Sequence, residues 1–176
     1  EYVIPMSTLM LGTCSWKFPS WQGIVYSRAE TAYLAEYSRR YPTVEIDQWF
    51  WSLFNVDSIA LPQHATVAEY LAAVPQEFRF TIKAPNSVTL THFYQKGSQK
   101  GSGPNPHFLS PELFADFLSR VAPMKEQTAM IMLQFEYLNK QKMSGPREFL
   151  QKLDSFLDSV GTAWPLAVEI RNPNYL

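Results

Sequence analysis

Thr43-Val44-Glu45-Ile46-Asp47-Gln48-Trp49-Phe50-Trp51 is a β-branched and aromatic run interrupted by two carboxylates, a composition that favours a strand. Side chains two apart share a strand face. Glu45 and Asp47 therefore point together, with Trp49 and Trp51 following, while Val44, Ile46 and Phe50 take the other side. An acidic pair on an apolar strand is either a solvated sheet face or a site, and the other strands decide which.

Working outward, Leu9 to Ser15 is a short apolar run ending in small residues and is expected as a preceding strand. Ser27-Arg28-Ala29-Glu30 has the spacing of a capping box, in which hydroxyl and carboxylate satisfy orphan amides reciprocally. It predicts a helix to about Tyr41, stopped by Pro42. Ser52 to Ala65 reads as loop. Thr66-Val67-Ala68-Glu69 predicts a second helix, ending at Pro75. Arg79 to Ala84 is the third strand, followed by a long loop, Asn86 to Leu109, that contains Lys96 and Lys100. Loops of that length usually have a function. Ser110-Pro111 pairs an N-cap with proline at the first helical position, which predicts a helix to about Ala122. Thr128 to Glu136 is a strand, Gly145-Pro146 opens a helix to about Gly161, and Pro165 to Arg171 is the fifth strand. Strict strand–helix alternation implies parallel strands joined by right-handed helical crossovers.

The strands share a parity that ordinary parallel strands lack. Parallel strands covered on both faces read as nearly continuous apolar runs. Here Phe80, Ile82 and Ala84 oppose Thr81 and Lys83. Ala129, Ile131, Leu133 and Phe135 oppose Met130, Met132, Gln134 and Glu136. Leu166, Val168 and Ile170 oppose Ala167, Glu169 and Arg171. Burying a charged face under helices in an open doubly wound sheet would cost several kcal/mol per unpaired charge. A closed barrel removes the conflict by turning the charged faces inward. Asp47, Lys83, Glu136, Glu169 and Arg171 also fall toward the C-terminal halves of their strands, the rim where (β/α)8 barrels carry their sites. The expected fold is therefore α/β, a TIM (β/α)8 barrel, in a single domain. Five strands do not close such a barrel, and a typical one needs about 250 residues. The 176 residues are thus expected to cover about the first five βα units.

Composition narrows the function. Fifteen basic and sixteen acidic residues leave a formal charge of −1, so no whole-chain basicity points to nucleic acid and no acidic excess points to disorder. The single cysteine, Cys14, excludes an intrachain disulfide and suits a reducing compartment. No apolar run approaches the roughly 20 residues of a membrane span, and the first residues lack a signal peptide's basic and apolar regions. A cytoplasmic protein is the expectation.

Gly12-Thr13-Cys14-Ser15-Trp16 with Trp21 and Gly23, Thr43 to Asp47, Phe78 to Ala84, Thr91-His92 and Leu166 to Arg171 form an ordered set. Together they resemble the YecE-like family, also called domain of unknown function 72, over most of the chain from the first expected strand. The resemblance implies a TIM barrel and a longer full-length chain, and it implies no activity. By motif match its characteristic polar positions fall on Glu45, Lys83, His92, Glu169 and Arg171. The chain departs from the pattern at Asp47, Gln48 and Trp49, which make the rim after the second expected strand bulkier and more acidic, and in the 96–107 loop.

The sharpest constellation for chemistry is Glu45, Lys83, Glu169 and Arg171. Lysine and arginine suit a phosphate or carboxylate, and glutamate suits general acid–base work; the plain alternative is mutually paired charges filling a barrel. Glu45, Lys83 and Glu169 are the expected catalytic residues, with Asp47, His92, Glu136, Arg171 and Trp16 as substrate-binding ones. Asp47 and Glu136, with Glu45 or Glu169, have the oxygen donors that Mg²⁺ or Mn²⁺ prefers, without metal-ligand spacing. His64, His92 and His107 are too dispersed for zinc. Pairing with a glutamate explains Lys83 more simply than a Schiff-base role does. Cys14, at the end of the first expected strand, reads as a buried small hydrophobe rather than as a nucleophile. Trp16, Trp21, Trp49 and Trp51 suit either a stacking platform or aromatic packing under a loop. Lys96 and Lys100 suit a solvated loop better than a phosphate contact. The expected function is an enzyme hydrolysing or isomerising a polar, phosphorylated or sugar substrate. The alternative is a non-catalytic binder of nucleic acid or another anionic ligand. No motif points to a cofactor or an oligomeric state.

Overall fold

The computed structural model describes residues 9–29, 31–55, 58–93, 103–161 and 163–175. In chain order the α-helices and strands are α1 (Tyr33–Ser38), β1 (Thr43–Ile46), β2 (Leu53–Asn55), β3 (Ser58–Ile59), α2 (His64–Ala72), β4 (Arg79–Lys83), α3 (Asn86–Thr89), α4 (Pro111–Val121), β5 (Thr128–Gln134), α5 (Pro146–Val160) and β6 (Leu166–Glu169). Strands β1, β4, β5 and β6 form, in that order, a four-stranded sheet whose neighbouring strands are all parallel. The described residues therefore build an open four-stranded parallel sheet rather than a closed barrel.

The parity expected from the sequence separates its two faces. Val44, Ile46, Phe80, Ile82, Ile131 and Leu133 are almost wholly buried in one core. Val67 of α2, Phe114, Phe117 and Val121 of α4, and Phe149, Leu153 and Phe156 of α5 complete that core. Each such side chain contributes about 1.5–3 kcal/mol by leaving water. The opposite face carries Glu45, Lys83, Met130, Met132, Gln134 and Glu169. Strand β6 breaks the pattern at its edge, where Val168 remains 38% exposed.

Several elements depart from expectation, each for a local reason. Residues 9–15 are not a strand; their backbone link to β1 is the bond from the Glu45 amide to the Thr13 carbonyl, 2.9 Å. Gly12 abuts Thr43 so closely that a Cβ there would lie 2.1 Å from its carbonyl oxygen. Helix α1 is shorter than predicted because Ser27 does not cap it. The Glu36 carboxylate accepts from the Ser27 amide at 2.7 Å, the Ser27 hydroxyl at 2.8 Å and the Thr31 hydroxyl at 2.5 Å. This ties Ser27 and Thr31 to Glu36 ahead of the helix, and Glu30, the expected partner, lies outside the described residues. Helix α2 begins at His64, so Thr66 lies inside it. The loop after β1 contains the β2–β3 hairpin, and the long loop after β4 contains α3. Lys96 and Lys100 lie outside the described residues. Helices α4 and α5 match their capping signals; Ser110 Oγ accepts from the Leu113 amide at 3.2 Å.

Candidate functional site

The C-terminal ends of the parallel strands converge on a cavity of about 240 Å³. Asp47 follows β1, Lys83 ends β4, Gln134 ends β5, Glu136 lies two residues beyond it, and Arg171 lies two beyond β6. All five line the cavity, together with Phe50, Trp51, Leu90 and Phe135. The parallel topology makes this assembly: strand ends far apart in sequence come to one edge only when their strands run the same way.

The turn after β1 rearranges the expected faces. The strand ends at Ile46, and the Phe50 amide donates to the Asp47 carbonyl at 3.0 Å. Phe50, expected on the helix-facing side, instead lies beneath Lys83, whose Nζ is 5.8 Å from its ring centroid. Trp49, expected on the acidic side, stacks on Tyr70 of α2 at 5.5 Å. Trp51 stays at the cavity, 59% exposed. A buried network holds this loop. Asn86 Oδ1 accepts from the amides of Ser52 and Leu53 at 3.0 and 2.9 Å and from the Ser52 hydroxyl at 3.0 Å.

The charges are arranged as counterion pairs. Lys83 Nζ lies 3.1 Å from Glu45 Oε1, both side chains about one-fifth exposed. Arg171 Nε lies 3.5 Å from Glu169 Oε1, and Gln134 Nε2 donates to Glu169 Oε2 at 2.6 Å. Lys142 pairs with Glu136, whose other oxygen accepts from Thr91 Oγ1 at 3.1 Å. Asp47 has no ion pair among the described residues. Its field reaches Tyr70, whose hydroxyl pKa is raised by burial first, then by Glu69 and by Asp47. The site thus offers two cations already backed by carboxylates, one carboxylate without such a partner, and an aromatic wall.

The structure brings Asp47, Lys83, Glu136 and Arg171 together in the cavity wall, with Glu45 and Glu169 as the ion-pair partners of Lys83 and Arg171. His92 is not in the wall and meets it through Thr91, its Nδ1 lying 3.0 Å from Thr91 Oγ1. Trp16 is elsewhere. It is 4% exposed, packs edge-on against Tyr70 at 5.0 Å, and lines a separate cavity of about 640 Å³ beside α1 and α2. The sequence reading missed Phe50 and Gln134. Gln134 shares the strand face of Glu136, so parity already marked it; Phe50 needed the turn. No group of three His, Cys, Asp or Glu among the described residues is arranged to hold a metal ion, and no described helix is long and apolar enough to cross a membrane.

Solved structures of DUF72 family proteins from two organisms resemble the chain. The one from Enterococcus faecalis is 23% identical, with a TM-score of 0.61, over 94% of this chain and 52% of its own. The one from Thermotoga maritima is 21% identical, with a TM-score of 0.54, over 91% of this chain and 54% of its own. The chain therefore spans about half the length of the structures it matches. No curated protein matches it. The family model described as "Protein of unknown function DUF72" matches residues 10–176, in accord with the YecE-like motifs, and the chain belongs to the DUF72 family.

Proposed function

We propose that the rim cavity is the active site of a (β/α)8-barrel enzyme that hydrolyses or isomerises a polar substrate, a sugar or sugar phosphate, with the described sheet as one arc of that barrel. The observation that carries this reading is the meeting of Asp47, Lys83, Glu136 and Arg171 in one cavity at the C-terminal strand ends, the edge where such barrels do chemistry. Helices on one sheet face and charges on the other support the barrel.

Lys83 and Arg171 bind the anionic or hydroxyl-rich part of the substrate. Glu45 and Glu169 keep those cations aimed and exchange protons with bound substrate. Asp47, facing the cavity without a counterion of its own among the described residues, supplies a further acid–base carboxylate. Phe50 and Trp51 pack against the apolar face of a sugar ring. Cys14 is exposed, not buried as expected of a packed small hydrophobe; a free, exposed thiol suits a reducing compartment, and we take the protein to be cytoplasmic.

A second reading, a non-catalytic binder of single-stranded nucleic acid, draws on the exposure of Trp51 and Arg171, 59% and 57%, which suits a stacked base beside a phosphate. A panel of sugar phosphates, glycosides and a single-stranded oligonucleotide separates the two. In the enzyme, Glu45→Gln, Glu169→Gln or Asp47→Asn lowers turnover at least 100-fold and changes binding only a few-fold. Equal loss of binding in all three, with no panel member converted by the native protein, overturns the enzyme reading.

A further inference from the structure

Acid–base chemistry at a carboxylate site gains from a second proton carrier, and the rim holds one that the cavity wall does not include. Thr91 is 6% exposed, so water does not compete for its hydroxyl. That hydroxyl has one proton. It donates to Glu136 Oε1 at 3.1 Å, and an ionised carboxylate only accepts. His92 Nδ1 lies 3.0 Å from the same Thr91 oxygen. With its proton committed to Glu136, the oxygen has only lone pairs left for the ring, so Nδ1 must donate. The neutral ring is therefore the Nδ1–H tautomer, and its lone pair sits on Nε2.

The far end of this relay is fixed as well. Lys142 pairs with the other Glu136 oxygen. The Lys142 amide is held by the Asn139 carbonyl at 3.0 Å and by its side-chain oxygen at 3.2 Å. Nε2 has no hydrogen-bond partner among the described residues. Glu136 is shared between the relay and the cavity, which links His92 to the cavity wall through Thr91.

We propose that His92 is a second general base of the rim site, beside its carboxylates, with Thr91 and Glu136 as positioning residues that hold its ring as the Nδ1–H tautomer. This deepens the enzyme reading of the cavity and rests on it. Nε2 takes the proton of an attacking water as its oxygen bonds the reacting centre and the bond to the leaving oxygen breaks, or the proton of an enediol hydroxyl as its C=O forms and the C=C bond breaks. The imidazolium faces Glu136 through Thr91, and Nε2 then returns the proton to the leaving oxygen or to the carbon being protonated. The protons on Nδ1 and on the Thr91 hydroxyl stay in place.

The test is long-range ¹H–¹⁵N NMR of the ¹⁵N-labelled chain, with His92 assigned by the signals lost in His92→Gln. At alkaline pH the native His92 is expected as the Nδ1–H tautomer, and Thr91→Val shifts it toward Nε2–H while His64 and His107 keep their signals. A native His92 in the Nε2–H form overturns the proposal without recourse to any variant. Inorganic phosphate then probes the site. Shifts at both the Lys83 amide and the His92 ring are expected. Shifts at Lys83 alone overturn the role of His92 and leave the cavity reading standing; no shift at either residue overturns both.

Discussion

Lys83 Nζ sits 3.1 Å from Glu45 Oε1, although the register pairs Glu45 with Thr81 rather than with Lys83. The lysine reaches back along the neighbouring strand and lies over the Phe50 ring. A pair about four-fifths withdrawn from water leaves an uncompensated charge when one partner is removed. Because solvent still reaches both ends, Lys83→Met is expected to cost about 2 kcal/mol and the coupling with Glu45→Gln about 1 kcal/mol. A double-mutant cycle by urea denaturation measures both. A coupling near zero shows that the two charges are independently solvated.

Gly12→Ala tests the close approach of residues 9–15 to β1. The new Cβ would meet the Thr43 carbonyl oxygen at 2.1 Å, while the Glu45–Thr13 backbone bond resists displacement. Overpacking against backbone predicts a loss of at least about 2–3 kcal/mol, read as a fall in the denaturant midpoint.

Asn86→Ala tests the loop network at the cavity. It removes the acceptor of two buried backbone amides and one buried hydroxyl. Orphaned buried donors cost about 1–3 kcal/mol each, so a loss of about 3 kcal/mol is expected. Limited proteolysis should then cut first between residues 50 and 60.

Glu36 and Tyr26 set opposite pH limits. Hydrogen bonds from the Thr31 hydroxyl, then from the Ser27 amide and hydroxyl, lower the Glu36 pKa from 4.5 to about 2. A depressed folded pKa contributes stability that is present above 4.5 and lost as pH falls toward 2. Glu36→Gln should flatten that part of the melting-temperature profile, modestly because the group is exposed.

Burial, followed by the fields of Tyr37, Tyr33 and Glu36, raises Tyr26 from 10.0 to about 12. That contribution is complete below pH 10 and is lost as pH rises from 10 to 12. Tyr26→Phe should remove this alkaline loss and cost about 1 kcal/mol at neutral pH, through its bond to the Trp16 carbonyl.

Legibility in the sequence followed the range of the interaction. The capping of α4 by Ser110 was readable because hydroxyl and amide lie three residues apart. The Ser27 box failed because Glu36, nine residues away, outcompeted the local partner. Strand parity marked Lys83, Gln134, Glu136 and Glu169 on one face, since alternation is a property of the backbone itself. It misassigned Phe50 and Trp49 because a turn at Asp47 ends the alternation.

The sequence by itself determined the four parallel strands β1, β4, β5 and β6 with helices between them, the apolar helix-facing sides, the charged strand ends and the family. Those follow from backbone periodicity and from motifs read in order. Only the tertiary structure decided which charges are partners: Glu45 with Lys83, Glu169 with Arg171 and Gln134, and Glu136 with Lys142 and Thr91. It also moved Trp16 away from the rim and attached His92 to it through a single hydroxyl. Coulomb and hydrogen-bond energies fall steeply with distance, and distances between residues on different strands are set by how the chain packs, which no local pattern records.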